Sequence, residues 1–165
     1  MRLRNVNDQR EWFENRFTSE LTWRDGTADG VPSWYSQLLT DLVLATGDDP
    51  IRYFSAKYVS PRGSNPGSVA VVAFTDDIVA YANFDGDPNT GATGLEVFVT
   101  ARRMLSSFGL ESDGLDTAAD PLASVRITIN YHQFSRTLPL GASDWMDRAR
   151  ETSVLIACLR RDLVV

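Results

Sequence analysis

The chain has 165 residues, 43% of them apolar and 23% charged, with one Cys, one His and a net charge of -6. Such a chain reads as one globular domain able to bury roughly 70% of the surface it exposes when unfolded. A long disordered tract, a disulfide scaffold and a fibrous rod are excluded.

The acidic balance argues against a general nucleic-acid partner, which needs a basic surplus to draw in phosphate. Cys158 has no second cysteine to pair with, and with His132 alone it cannot build a zinc site of the usual Cys/His type. A lone cysteine fits a reducing compartment. The opening residues, Met1 to Glu11, carry no apolar core or small-residue cleavage pattern. No apolar run approaches the roughly 20 residues that span a bilayer, so the expectation is a cytoplasmic protein with no membrane span.

In chain order, two helices come first. Asp8 with Glu11 has the spacing of a capping box, and Trp12, Phe13, Phe17 and Leu21 follow at helical intervals, which predicts a helix over 8–22. Asp25 to Gly30 breaks it, since glycines and small polar residues favour turns. Pro32 suits the first turn of a second helix, whose stripe of Trp34, Leu38, Leu42 and Ala45 ends at Gly47. The helical part is 8–46.

From residue 51 to 140 the apolar period falls from about 3.6 to 2, which predicts strands. Phe54, Ala56 and Tyr58 alternate with Ser55 and Lys57, predicting one buried and one wetted face. Residues 60–67 form a loop. Val69 to Phe74 is almost wholly apolar, as in a central strand, and Thr75-Asp76-Asp77 turns it into a partner over 78–84. After a polar loop at 85–94, Leu95, Val97 and Val99 mark another strand. Arg102 to Leu110 fits two patterns: Met104, Ser106, Phe108 and Leu110 as a strand face, or Val99, Arg102, Leu105 and Phe108 as a helical stripe. The strand is the expectation taken. Ser112 to Leu122 is loop, then Val125, Ile127, Ile129 and Tyr131 alternate cleanly. The apolar parity then shifts to Phe134 and Leu138, which requires a bulge or turn near 132–134.

The last element returns to helical spacing. Trp145, Ala149, Thr152, Ile156, Leu159 and Leu163 form one stripe over 144–163, with Arg148, Arg150, Arg160 and Arg161 off it. The fold class expected is α+β: two N-terminal helices, about seven mostly antiparallel strands as a curved sheet or partly open barrel, and a capping helix. That order, strands over 51–140 followed by a helix at 144–163, resembles the pleckstrin-homology-like layout, with two helices added in front. The resemblance implies a binding or scaffolding role rather than catalysis, and it does not specify a ligand.

The most specific local pattern runs from Asp85 to Glu96. Its oxygen donors Asp85, Asp87, Asn89, Thr93 and Glu96 fall at the first, third, fifth, ninth and twelfth places, the spacing of a calcium loop. Thr90 stands where such a loop needs glycine, the flanks read as strands, and the same residues suit any solvated hairpin loop. A solvated loop is the reading taken, with a calcium-dependent enzyme or ion-regulated module as the alternative. Arg102, Arg103, Arg126 and Arg136 are candidates for a cationic patch binding a phosphate or carboxylate partner. Trp23, just before the glycine-rich break, is the tryptophan expected to face a partner. Serine-elbow, phosphate-loop and dinucleotide signatures are missing, and His132 and Cys158 read as a surface histidine and a packed thiol. The function expected is therefore non-catalytic: protein binding or self-association without a cofactor, with a small-ligand binder as a further alternative.

Overall fold

A computed structural model describes residues 6–20, 33–59, 67–85, 95–112, 122, 125–141 and 145–163. Helix α1 (Val6–Glu20) buries Gln9, Phe13 and Phe17, one residue per turn on one face. It starts two residues before the expected Asp8, which therefore lies in the first turn, where a negative charge complements the helix dipole. Helix α2 (Ser33–Thr46) buries Trp34, Leu38 and Leu42 as their spacing predicts. Gly47 closes it at φ 55°, a left-handed conformation that suits glycine, and its N–H reaches the Val43 carbonyl at 2.9 Å. The expected break at 25–30 lies outside the described residues.

Seven antiparallel strands follow: β1 (Tyr53–Val59), β2 (Ser68–Phe74), β3 (Ile78–Asp85), β4 (Val97–Ala101), β5 (Leu105–Ser112), β6 (Val125–Tyr131) and β7 (Ser135–Leu138). They form two sheets not closed into a barrel, ordered β1-β2-β3-β4 and β5-β6-β7, with helix α3 (Trp145–Leu163) after them. The first sheet is a middle layer. One face, with Phe54, Ala56, Val69, Val71, Ala73, Ala80 and Ala82, packs on α1 and α2. The other, with Tyr53, Val72, Phe74, Val79 and Tyr81, packs on the second sheet and on Leu155, Ile156 and Leu159 of α3. Burial on both sides explains the unbroken apolar run of β2.

Two-sided burial also corrects an expectation. Ser55 is fully buried rather than wetted, and its Oγ accepts the Leu140 N–H at 2.9 Å as the segment after β7 crosses β1. Lys57 remains exposed.

The ambiguous stretch after β4 is both turn and strand. Arg102–Met104 form one 3-10 turn at the corner between the sheets, and β5 starts at Leu105. The register slips between Leu105, opposite Tyr131, and Ser107, opposite Asn130. The extra residue puts Leu105 and Phe108 on the same face, which is why a helical interval showed in a strand. Met104, expected on the apolar face, is exposed. The turn expected near 132–134 joins β6 to β7, with the Tyr131 N–H bonded to the Phe134 carbonyl at 2.9 Å.

Phe54 joins the helices to the middle sheet, its ring within 5.8 Å of those of Trp12, Phe13 and Phe17. Phe54→Ala is expected to cost about 3–5 kcal/mol by lost transfer energy and a residual cavity. Urea unfolding followed by tryptophan fluorescence measures it, and a loss under about 1 kcal/mol would show that this aromatic cluster does not anchor the helices.

Candidate binding groove between β5 and α3

The corner between the sheets is held by one buried arginine. Arg102 Nε and Nη2 donate to the two carboxylate oxygens of Asp162 in α3 at 3.0 and 2.9 Å, a bidentate fork. Its Nη1 donates to the carbonyls of Thr75 and Asp76 in the β2–β3 turn at 2.9 and 3.0 Å, and its backbone N–H bonds the Asp77 carbonyl at 2.8 Å. Burial works against the guanidinium charge, and the hydrogen bonds and charge of Asp162 outweigh it, so the Arg102 pKa stands raised. Burial, helped by the Asp162 charge, also raises the pKa of the neighbouring Tyr131 phenol.

This clamp fixes the C-terminal end of α3 beside the start of β5. Farther along, helix and strand part around a groove of about 430 Å³. Leu110, Glu111, Ser112, Leu122 and Val125 line the strand side, and Ser153, Ile156, Ala157 and Arg160 line the helix side. The helix residues fall at intervals of three and four, one face of α3. Leu110 lies opposite Ile127 on the inward face of its sheet yet stays 48% exposed, because the groove leaves it uncovered. Among the described residues β5 is an outer strand with β6 as its one ladder partner. The outer side of β5 has no ladder partner among the described residues, so the groove offers backbone groups beside an apolar floor, with the Glu111 carboxylate on one wall and the Arg160 guanidinium on the other.

The four candidate arginines are not brought together. Arg102 is buried in the clamp, and Arg103 is exposed at the corner. Arg126, opposite Glu111, is the second residue of β6 and lies on the outer face with Thr128 and Asn130. Arg136 lies opposite inward-facing Ile129 and places its guanidinium 4.8 Å from the centre of the Tyr81 ring. Alternation along strands sends Arg126 and Arg136 to opposite faces. Of the calcium-loop donors, Asp85 ends β3 and Glu96 is exposed before β4; Asp87, Asn89 and Thr93 lie outside the described residues, as does Trp23. No group of three or more metal-ligating side chains occurs among the described residues. His132 is exposed at the β6–β7 turn, while Cys158 is buried in α3 and its Sγ accepts from Arg161 at 3.3 Å. No helix among the described residues is long and apolar enough to cross a membrane.

Sequence reasoning missed the groove and misassigned Arg102. The bulge hides the inward parity of β5, and Asp162 is 60 residues from Arg102. The usable signal was Ala157 and Arg160 flanking the apolar stripe of α3. No protein-family model matches the chain, and neither a curated protein nor a solved structure matches it.

Arg102→Met is expected to destabilise the fold by about 3–5 kcal/mol, because Asp162 and two carbonyls lose their donor together. Chemical denaturation measures it, and a loss within about 0.5 kcal/mol would show that the corner holds without the clamp.

A second ion pair joins Arg52 to Asp76 at 2.7 Å beside this corner. The Arg52 hydrogen bond lowers the Asp76 pKa from its ordinary 3.8. The pair's contribution is thus present at neutral pH and is lost as pH falls below 3.8 through the folded-state value. Asp76→Asn should flatten the acid limb of a melting-temperature profile; an unchanged limb would remove the pair from the acid response.

Proposed function

We propose that this chain is a non-catalytic protein-interaction module that takes an extended segment of a partner protein along β5, with one apolar side chain in the groove against α3. The observation that carries the reading is the coincidence of an outer strand and a groove. Among the described residues β5 has one ladder partner, and the space beside it is lined by Leu110, Val125 and Ile156. Strand addition draws affinity from main-chain hydrogen bonds and selectivity from side-chain pockets, and both elements meet here. Arg160 on the helix wall favours a carboxylate on the incoming segment, and Glu111 on the strand wall favours a basic group beside it.

The element order supports the same reading. Seven antiparallel strands followed by a helix packed across them is the layout implied by the pleckstrin-homology-like resemblance, and that layout accompanies binding roles. The two N-terminal helices cover the far face of the first sheet, which leaves the second sheet and α3 as the binding side.

Panning a random peptide library on the full chain, then mapping an enriched peptide by amide chemical shifts, tests the proposal. The expected outcome is a binder that shifts β5 and α3 amides and is lost in Ala157→Trp, where indole fills the groove without removing a core contact. Arg160→Glu should weaken acidic binders selectively. Peptides that map to another surface, or that bind Ala157→Trp unchanged, would overturn the reading.

A further inference from the structure

The first sheet ends in an unguarded strand. β4 bonds to β3 along one side, and no strand pairs with its other side among the described residues. Its sequence, Val97-Phe98-Val99-Thr100-Ala101, holds no charge and no proline. Phe98 and Val99 are 47% and 46% exposed, one on each face, and exposed Met104 continues the patch around the corner. Outer strands of monomers are normally guarded by charge, proline, a bulge or a covering segment. β1, the opposite edge of the same sheet, follows that practice: Lys57 is exposed on it, and the chain around Leu140 packs across it. Among the described residues β4 shows none of these devices on its outer side, which is the pattern of a strand that another strand completes.

The charges at its two ends indicate which strand. Exposed Glu96 immediately precedes β4, and exposed Arg103 follows it; neither makes an ion pair with another described residue. An antiparallel pairing of two identical strands about a two-fold axis brings the start of each against the end of the other. With the axis at Val99, Val97 lies opposite the partner's Ala101, and Glu96 lies opposite the partner's Arg102, one residue from the partner's Arg103. Each Glu96 thereby comes near the partner's exposed Arg103, twice per dimer, while the two Val99 side chains cover each other and each Phe98 lies against the partner's Thr100. A parallel pairing would set like ends together and lose both contacts.

We propose that two copies of this chain associate through their β4 edges, continuing the four-stranded sheet across a two-fold axis. The surface is separate from the β5 groove, so this dimer stands or falls independently of the peptide-binding reading.

Sedimentation velocity of the full chain over a concentration series tests the dimer. The expected species has twice the 18.3 kDa chain mass. Val99→Lys should return it to monomer with little change in melting temperature, since the side chain is exposed. Glu96→Arg alone should weaken the dimer roughly tenfold through repulsion from the partner's Arg103, and adding Arg103→Glu in the same chain should restore it. A wild-type chain that stays monomeric throughout the series would overturn the proposal. So would a dimer that survives Val99→Lys, or a folded double charge swap that fails to recover association.

Discussion

The Arg102 guanidinium is the constraint on which the arrangement of the two sheets depends. Four of its N–H donors are used, two on the Asp162 carboxylate and two on the carbonyls of the β2–β3 turn. A single side chain thereby ties the sheet-to-sheet corner, the hairpin of the first sheet and the C-terminal end of α3. Arginine suits this point because its planar fork meets a carboxylate bidentately and keeps its charge when buried. Lysine would offer one compact charge where two directions are needed. Because both charges are withdrawn from water, their desolvation offsets much of their attraction, and what the pair contributes most plainly is a fixed bidentate contact between the corner and the last helix.

The second organising feature is the middle sheet, whose two faces serve separate cores. Both cores mix aromatic and aliphatic side chains: the helix-facing one brings Phe13, Phe17 and Phe54 into edge or tilted contacts, and the other stacks Phe134 on Tyr81 and Tyr131. A strand buried on both faces loses its alternation. That is the physical reason Ser55 was misjudged: period-two reasoning assumes one wet face, and β1 has one only at Lys57.

Much of the architecture was legible. Both N-terminal helices, the central strand, the hairpin at Thr75, the β6 alternation and the last helix all follow from the spacing of apolar residues, because each buries a regular face. Legibility failed where geometry departs from regular spacing or where contacts are remote. The bulge after Leu105 broke the strand period, so β5 carried two patterns at once. Arg102 looked like a surface cation since nothing nearby in sequence reveals its partner in α3. The groove was invisible for a related reason: it is a gap between β5 and α3, which β6 and β7 separate in the chain, and a gap leaves no mark on periodicity.

Position along α3 links the clamp to the groove. Asp162 anchors the helix at the corner; Arg160 lies about half a turn before it and Ile156 and Ala157 between one and two turns before it, facing the second half of β5. The wall that would receive a ligand is thus fixed from one end by a buried ion pair and from beneath by Leu155 and Leu159. A groove whose walls are set before binding spares the ordering entropy that a mobile site must lose. β4 stands on the other side of the same corner. The turn that positions the groove therefore also sets the angle of the exposed apolar edge, so the two surfaces keep a defined relation to each other whichever of them is occupied.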